Sequence, residues 1–327
     1  MLHRARIWMW FLFLLVLGLG ACQQAPPAVA SPQAAVVEEV QRGASTRTPW
    51  RPGTPTPVLM PSPTRAPSPT PYPTVRFAVI GDYGKAGPAE EAVAQLVKSW
   101  NPDFIVTVGD NNYPSGSKLT FKENVLAYYG EYIEQQRFFP ALGNHDWGYF
   151  TPNTLPFVQF FDYLPGNRRY YDIVWGPVHL FVLDSDAREP DGITPDSKQG
   201  QWLRERLRAS TTPWQIVVFH HAPYSSGHHG DTKYMQWPFA AWGVDLVLTG
   251  HDHTYERIHR EGIVYIVNGL GGAPNIYSFE NDTHGSQVRY NDTHGALWVE
   301  VTADYILGRF INIKGETIDE FRITQGP

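Results

Sequence analysis

The chain is 327 residues long, with a formal charge of −6 at neutral pH and one cysteine. A net acidic chain with no cluster of basic residues and interleaved aromatics in its foldable part argues against a nucleic-acid surface. A single cysteine excludes an internal disulfide framework.

Residues 1–22 open with His3, Arg4 and Arg6, continue as an apolar run from Ile7 to Leu19 and close on Leu19-Gly20-Ala21-Cys22. Basic start, apolar middle and small-residue end are the parts of a signal peptide. The ending resembles the lipobox of bacterial lipoproteins, where small residues admit a peptidase before a cysteine that then carries acyl chains. Lipidation accounts for the odd Cys22, and it predicts an extracytoplasmic chain anchored by lipid to a bacterial cell envelope. A plain cleaved signal peptide or an N-terminal membrane anchor is the alternative, although the run is short beside the ~20 residues of a spanning helix. Residues 23–74 turn to Pro, Ala, Thr and Ser, densest from Pro61 to Pro73. Such a segment buries too little apolar surface to fold, stays extended, and suits a disordered tether. The remaining 75–327 suffices for one sizeable domain.

Along that domain, Val75–Ile80 reads as a strand ending at Gly81-Asp82-Tyr83-Gly84, and Pro88–Trp100 as a helix with proline in its first turn. Phe104–Val108 is a strand stopping at Gly109-Asp110-Asn111-Asn112-Tyr113, Leu119–Gln135 a helix, and Arg137–Leu142 a short extended run before Gly143-Asn144-His145-Asp146. Tyr170–Trp175 and Val178–Leu183 flank Gly176-Pro177 as a hairpin. Ser197–Ala209 reads as a helix. Trp214–Phe219 is a strand ending at His220-His221, and Val244–Leu248 one ending at Gly250-His251-Asp252-His253. Successive strands with glycine turns follow Thr254. Alternating strands and helices followed by clustered strands predict an α/β domain on two sheets.

In such sheets ligands bind beyond the carboxyl ends of the strands. Asp82, Asp110, Asn144, His220, His251 and His253 all fall there. One aspartate after a strand is ordinarily a turn or helix cap, and a lone His-x-His is a common surface loop. Five coincidences in order point instead to one site. These blocks resemble those of the calcineurin-like metallophosphoesterases and, within that superfamily, the compact single-domain purple acid phosphatases. The resemblance implies two packed mixed β-sheets flanked by helices. It also implies one metal on Asp82, Asp110, Tyr113 and His253, and a second on Asp110, Asn144, His220 and His251, with Asp110 shared. It implies hydrolysis of phosphate monoesters by a metal-bound hydroxide; a Mn- or Zn-dependent phosphodiesterase or nucleotidase of the same superfamily is the alternative.

The residue types suit that chemistry. Carboxylates and an amide oxygen are hard ligands, imidazoles suit Fe, Zn or Mn, and a shared carboxylate holds two metals at the ~3.5–4 Å useful in phosphoryl transfer. A phenol with a pKa near ~10 ionises at neutral pH only beside a strong Lewis acid, so Tyr113 as a ligand favours Fe(III) with a divalent Fe, Zn or Mn. A tyrosine that only packs is the other reading of Tyr113. By resemblance His145 faces the substrate, and His229, nine residues after His220, has the spacing of the family's second outer-sphere histidine; both are candidate proton donors to the leaving group. His221, His228 and His259 read as surface or supporting residues, and His179 as structural. Arg257 is expected to pair with a glutamate or order the loop beneath the site. The segment Asn281-Asp-Thr-His-Gly285, repeated as Asn291-Asp-Thr-His-Gly295, has no match in the family's pattern. The sequence leaves the oligomeric state open.

Overall fold

The structure, a computed structural model, describes residues 72–325. The signal peptide expected over 1–22 and the tether expected over 23–74, save its last three residues, lie outside the described residues.

Two sheets form the domain. In the first, β1 (Val75–Ile80), β2 (Phe104–Thr107) and β3 (Phe138–Pro140) are parallel neighbours, and β11 (Gly295–Val301), β12 (Tyr305–Asn312) and β13 (Thr317–Thr324) extend it antiparallel from β1. In the second, β5 (Val178–Val182), β6 (Trp214–His221), β7 (Leu246–Gly250) and β9 (Ile263–Asn268) are parallel. The antiparallel strands β4 (Tyr171–Trp175), β8 (Tyr255–Arg260) and β10 (Ser286–Tyr290) complete it. The Gly176-Pro177 hairpin joins β4 to β5 as expected.

Strand composition follows from this layering. β2, β5 and β7 are buried along their whole length and mostly apolar, His179 of β5 being the polar exception held by Asp172 and Ser210, whereas β12 alternates because one face is less covered. The period of two sorts the second sheet: Leu180, Ile216, Val218, Leu246 and Leu248 join the core shared with the first sheet. Phe181, Val217, Phe219 and Val247 point the other way, into a second cluster with Leu203 and Leu207 of α6 (Lys198–Ala209). Helix α1 (Pro88–Ser99) starts on proline, places Glu90 and Glu91 in its first turn and Lys98 in its last, and buries Val93, Ala94 and Val97 in the first core.

One helical expectation changes. The segment expected as one helix over Leu119–Gln135 is α2 (Lys118–Phe121), a π-helical turn (Lys122–Leu126) and α3 (Ala127–Glu134). The widened turn buries Asn124, whose amide donates to the Tyr113 carbonyl (2.7 Å) and to Asn112 Oδ1 (3.0 Å) and accepts from the Ala86 N–H (3.2 Å). One extra residue in the turn thus serves the neighbouring loop. Asn144, which the sequence placed only beyond the end of an extended run, begins the one-turn helix α4 (Asn144–Trp147), in which Asp146 accepts from the Gly143 N–H. A further one-turn helix, α5 (Phe157–Phe160), packs Phe160 flat on Phe121.

Candidate metal centre

The site lies where the carboxyl ends of β1, β2, β3, β6 and β7 meet. Asp82 follows β1, Asp110 follows β2, His220 is on β6, and His251 and His253 follow β7. The sheets are tied at this end by Asn268 Nδ2, which donates to the Val79 carbonyl (2.9 Å). The Asp82 and Tyr83 N–H groups donate to the Gly109 and Asp110 carbonyls, fixing one loop on the other. Asp82, Asp110 and His251 all hold left-handed backbone, with φ of 53°, 53° and 72°. Each costs of order 1 kcal/mol, and although Asn101, Gln136, Arg168 and Glu261 adopt the same region singly elsewhere, three around one point is the clustering of strain found at functional sites. Gly109, at φ 98°, is required by close approach as well: a Cβ there would lie 2.6 Å from His220 Nδ1.

The side chains converge in two groups around Asp110. Tyr113 Oη lies 3.0 Å from Asp110 Oδ2 and 3.2 Å from His253 Nε2, and His253 Nε2 lies 3.4 Å from Asp82 Oδ1. On the other side His220 Nε2 lies 3.4 Å from Asp110 Oδ2, 3.1 Å from Asn144 Oδ1 and 3.2 Å from His251 Nδ1. Ligand atoms of Asp82, Asp110 and His220 all fall within 4.8 Å of one another, all three side chains buried. Among the described residues Asp82 Oδ1 has no hydrogen-bond partner, although it is buried. A buried carboxylate oxygen left unpaired among imidazoles fits a cation, because protein donors would otherwise satisfy it.

Ring orientation is set from behind. His220 Nδ1 donates to the Val108 carbonyl (2.8 Å) and His253 Nδ1 to the Asn275 carbonyl (2.6 Å), so both present an Nε2 lone pair to the site. Burial alone would push the His220 imidazole down, but the Asp110 and Asp82 carboxylates outweigh it and raise it to about 10. Burial likewise opposes ionisation of Asp110, and the His220 and His145 contacts overcome that and hold it far below the usual carboxylate range. Burial, followed by the Asp110 and Asp82 charges, raises the Tyr113 phenol well above its ordinary value. Burial and then the adjacent His220 and His221 rings drive His251 far down.

His145 Nδ1 donates to the Pro114 carbonyl (2.7 Å), its ring lies 4.3 Å from that of Tyr113, and Nε2 is 3.9 Å from Asp110 Oδ2. His229 stacks on His251 at 4.0 Å, while its backbone N–H donates to Asp252 Oδ1. His221 Nδ1 is held by Ser185 Oγ (2.8 Å), His228 pairs with Glu280 on the surface, and His179 is locked between Asp172 and Ser210. His259 is exposed.

Arg257 is a correction. It pairs with Asp319 of β13 (2.7 Å), joining β8 of the second sheet to the edge strand of the first rather than meeting a glutamate. The loop beneath the site is ordered by its neighbour Glu256, which accepts from the Ser226 N–H (2.7 Å) and from Ser286 Oγ (2.5 Å). Other supporting residues escaped the sequence reading. Asn111 satisfies all its groups at once, donating to Asp146 and the Ala141 carbonyl and accepting from Tyr83 and Thr107 hydroxyls. Burial and then Asp110 push Asp146 up to about 7. Arg188, fixed by Asp186, donates to the Asn144 and Gly148 carbonyls that bracket α4. Tyr277 lies flat on the His253 ring, centroids 4.2 Å apart and planes 5° apart. Asn111 stood inside a motif already singled out, but nothing in the sequence marked Tyr277 or Arg188.

The repeated pentapeptide serves two different supports. Asn281 Nδ2 donates to the Gly227 carbonyl and Thr283 to Asp231 and Ser226, holding the loop that carries His229. Asn291 Nδ2 donates to the Tyr277 carbonyl and His294 Nε2 to the Ala273 carbonyl.

Hard oxygen and imidazole donors gathered between two mixed sheets define the class: an α/β protein with a centre for two metal ions. Residues 75–255 match the family model for the calcineurin-like phosphoesterases, and the chain belongs to that family. It is 26% identical to purple acid phosphatase 3 of Arabidopsis thaliana over 77% of this chain and 78% of that protein. It is 24% identical to tartrate-resistant acid phosphatase type 5 of Mus musculus over 62% and 73%. Its fold superposes on a purple acid phosphatase from yellow lupin (Lupinus luteus) seeds with a TM-score of 0.61 at 19% identity, covering 77% of this chain and 54% of that one. The chain is thus a metallophosphoesterase, purple acid phosphatase-like, that hydrolyses phosphate esters at a dinuclear centre.

Proposed function

We propose that the chain is an acid phosphatase of phosphate monoesters, held outside the cytoplasm by a lipid on Cys22, with Fe(III) and a divalent Fe, Zn or Mn as its metals. Asp82, Asp110, Tyr113 and His253 hold the first metal in this reading, and Asp110, Asn144, His220 and His251 the second. The observation that carries it is the position of Tyr113 Oη, aimed at Asp110 and His253 instead of into the core. A phenol kept neutral by burial and two carboxylates is an adequate ligand only for a strong Lewis acid, which favours Fe(III). Two metals in such a centre supply an activated water nucleophile and neutralise charge on the phosphoryl group.

The chain's own residues supply the rest. Gly109 and the strained turns at Asp82 and Asp110 bring the carboxylates to the imidazoles. His145, with Nδ1 committed to Pro114, is left with Nε2 as the atom that can reach the leaving oxygen, and His229 stacks on His251, so in this reading the two are the donors to the leaving group.

The test is the visible spectrum of the purified chain beside Tyr113→Phe. A tyrosinate-to-iron band present in the first and absent in the second is the expected result; a colourless native chain loaded with Mn or Zn would replace this reading with the divalent phosphodiesterase one. For the anchor, Cys22→Ser is expected to move the protein from the membrane fraction to the soluble fraction, and unchanged fractionation would refute lipidation.

A further inference from the structure

A single helical turn does not hold itself in water, because fixing its backbone costs more than its few hydrogen bonds return. Yet the four residues of α4 carry both His145 and Asn144, whose Oδ1 lies 3.1 Å from His220 Nε2. The start of α4 is held by Asp146, which accepts from the Gly143 and Asn111 N–H groups. Its other end is held from outside. Arg188 Nη2 donates to the Asn144 carbonyl (3.1 Å) and Nη1 to the Gly148 carbonyl (2.5 Å). The Asn144 carbonyl already accepts from the Gly148 N–H (3.2 Å), so the guanidinium closes the same turn a second time. It also brings a cation to the carbonyl end of the helix, where one is favourable.

The guanidinium is itself fixed. Nε and Nη2 donate to the two oxygens of Asp186, each at 2.6 Å, and the Arg188 N–H donates to Asp186 Oδ1 (2.9 Å). The Asp186 N–H donates in turn to Asp184 Oδ1 (2.9 Å), whose other oxygen accepts from Trp147 Nε1 (2.9 Å). Asp184 is tied to α6 by Gln199, which accepts from its N–H (2.8 Å) and donates to its carbonyl (2.9 Å). The loop between β5 and α6 thus grips α4 at Trp147 and at both carbonyls. Every guanidinium nitrogen is engaged by a protein oxygen, so Arg188 is committed to holding backbone.

We propose that Arg188 is a positioning residue for the second metal: by fixing the backbone of Asn144 it aims Oδ1 at the place shared with His220 and His251. The inference rests on the assignment above of Asn144, His220 and His251 to one ion, and it names what keeps that set assembled. Partners behind a metal ligand orient it, and losing one typically weakens the ion about ten- to a hundredfold.

The experiment counts metal ions per chain against buffered free zinc in the native protein, Arg188→Ala, Arg188→Lys, Asn144→Ala and the double variant, with circular dichroism on each. Arg188→Ala is expected to weaken one ion about ten- to a hundredfold and leave the other unchanged, and saturating zinc is expected to restore most of kcat for phenyl phosphate. Arg188→Lys, a point charge unable to span both carbonyls and Asp186, is expected to recover only part of that affinity, and it carries the test if the alanine variant does not fold. The double variant is expected to bind no more weakly than Asn144→Ala, because the arginine acts through that ligand. Additive losses, loss of both ions together, or native affinity for both ions in a folded Arg188→Ala would overturn the proposal. An Asn144→Ala protein that keeps two ions at native affinity would instead defeat the ligand assignment itself, and this inference with it.

Discussion

The two halves of the centre are built by different means. The carboxylate half, on the first sheet, places Asp82 and Asp110 on left-handed backbone just past the ends of β1 and β2, with no regular element to hold them there. It is braced instead by buried amides and a buried acid: Asn111 and Asn124 tie the Tyr113 loop to α4 and the π-helical turn. The imidazole half, on the second sheet, runs β6 straight through His220 and orients its rings by Nδ1 bonds to backbone carbonyls. Two like charges resist approach, so their half needs a rigid frame around both strained turns, while the imidazole half spends strain at His251 alone and fixes His220 and His253 from behind.

Asp110 is where the halves join, since Oδ2 lies within 3.4 Å of both Tyr113 Oη and His220 Nε2. Asp110→Asn keeps the shape and removes the shared charge. Its expected effect is a loss of phosphatase kcat/KM of about a thousandfold or more, with fewer than two metals bound per chain. A variant that kept two metals and a tenth of the activity would show that the halves hold their ions independently.

Much of this frame was legible in the sequence, for a physical reason. Parallel strands buried on both faces must be mostly apolar, so β1, β2, β6 and β7, with Arg76 and Gln215 only near their starts, stand out as runs that stop where the chain reaches polar ligands. The shared class of Asp, Asn and His at those stops then marked one site. Less legible were features that depend on a distant partner. Asn124 reads as an indifferent helix residue until the Tyr113 carbonyl appears beside it, and Arg257 meets Asp319 across 62 residues and two sheets. Tyr277 lies in an irregular segment with no periodicity, so its stacking on His253 had no signal to follow.

Glu90 tests how the halves are coupled outside the centre. It sits on α1, which follows the Asp82 loop, and packs against Gly272, where a Cβ would lie 2.7 Å from Glu90 Cα. Gly272 belongs to the segment whose Asn275 carbonyl holds His253. Among the described residues neither Glu90 carboxylate oxygen has a well-formed hydrogen bond, and burial, only weakly opposed by the Lys85 N–H, pushes the group up to about 9. The folded chain therefore keeps a proton that the unfolded chain releases above its ordinary value of 4.5. Stability from this group is complete below that value and is lost as pH rises toward about 9, by at most ~1.4 kcal/mol per pH unit. In urea titrations from pH 5 to 9, Glu90→Gln is expected to flatten that fall and to be the more stable protein at pH 8. An unchanged slope would place the pH dependence elsewhere and remove Glu90 as a link between the halves.

The smallest effect expected separates two supports of the imidazole half that look identical in sequence. Asn281 holds the Gly227 carbonyl and so the His229 loop; Asn291 holds the Tyr277 carbonyl and so the ring over His253. Each bond is worth about 1 kcal/mol or less at such partly exposed positions. Asn281→Ala is expected to lower kcat by a few-fold with little change in KM, because a loosened His229 donates its proton less well in the transition state. Asn291→Ala is expected to raise KM for the phosphate ester more than it lowers kcat, because it frees the backbone beneath Tyr277, which covers His253. If the two variants shift kcat and KM alike, the duplicated segments act only as general ballast for the loop, and the division of labour drawn from their contacts is wrong.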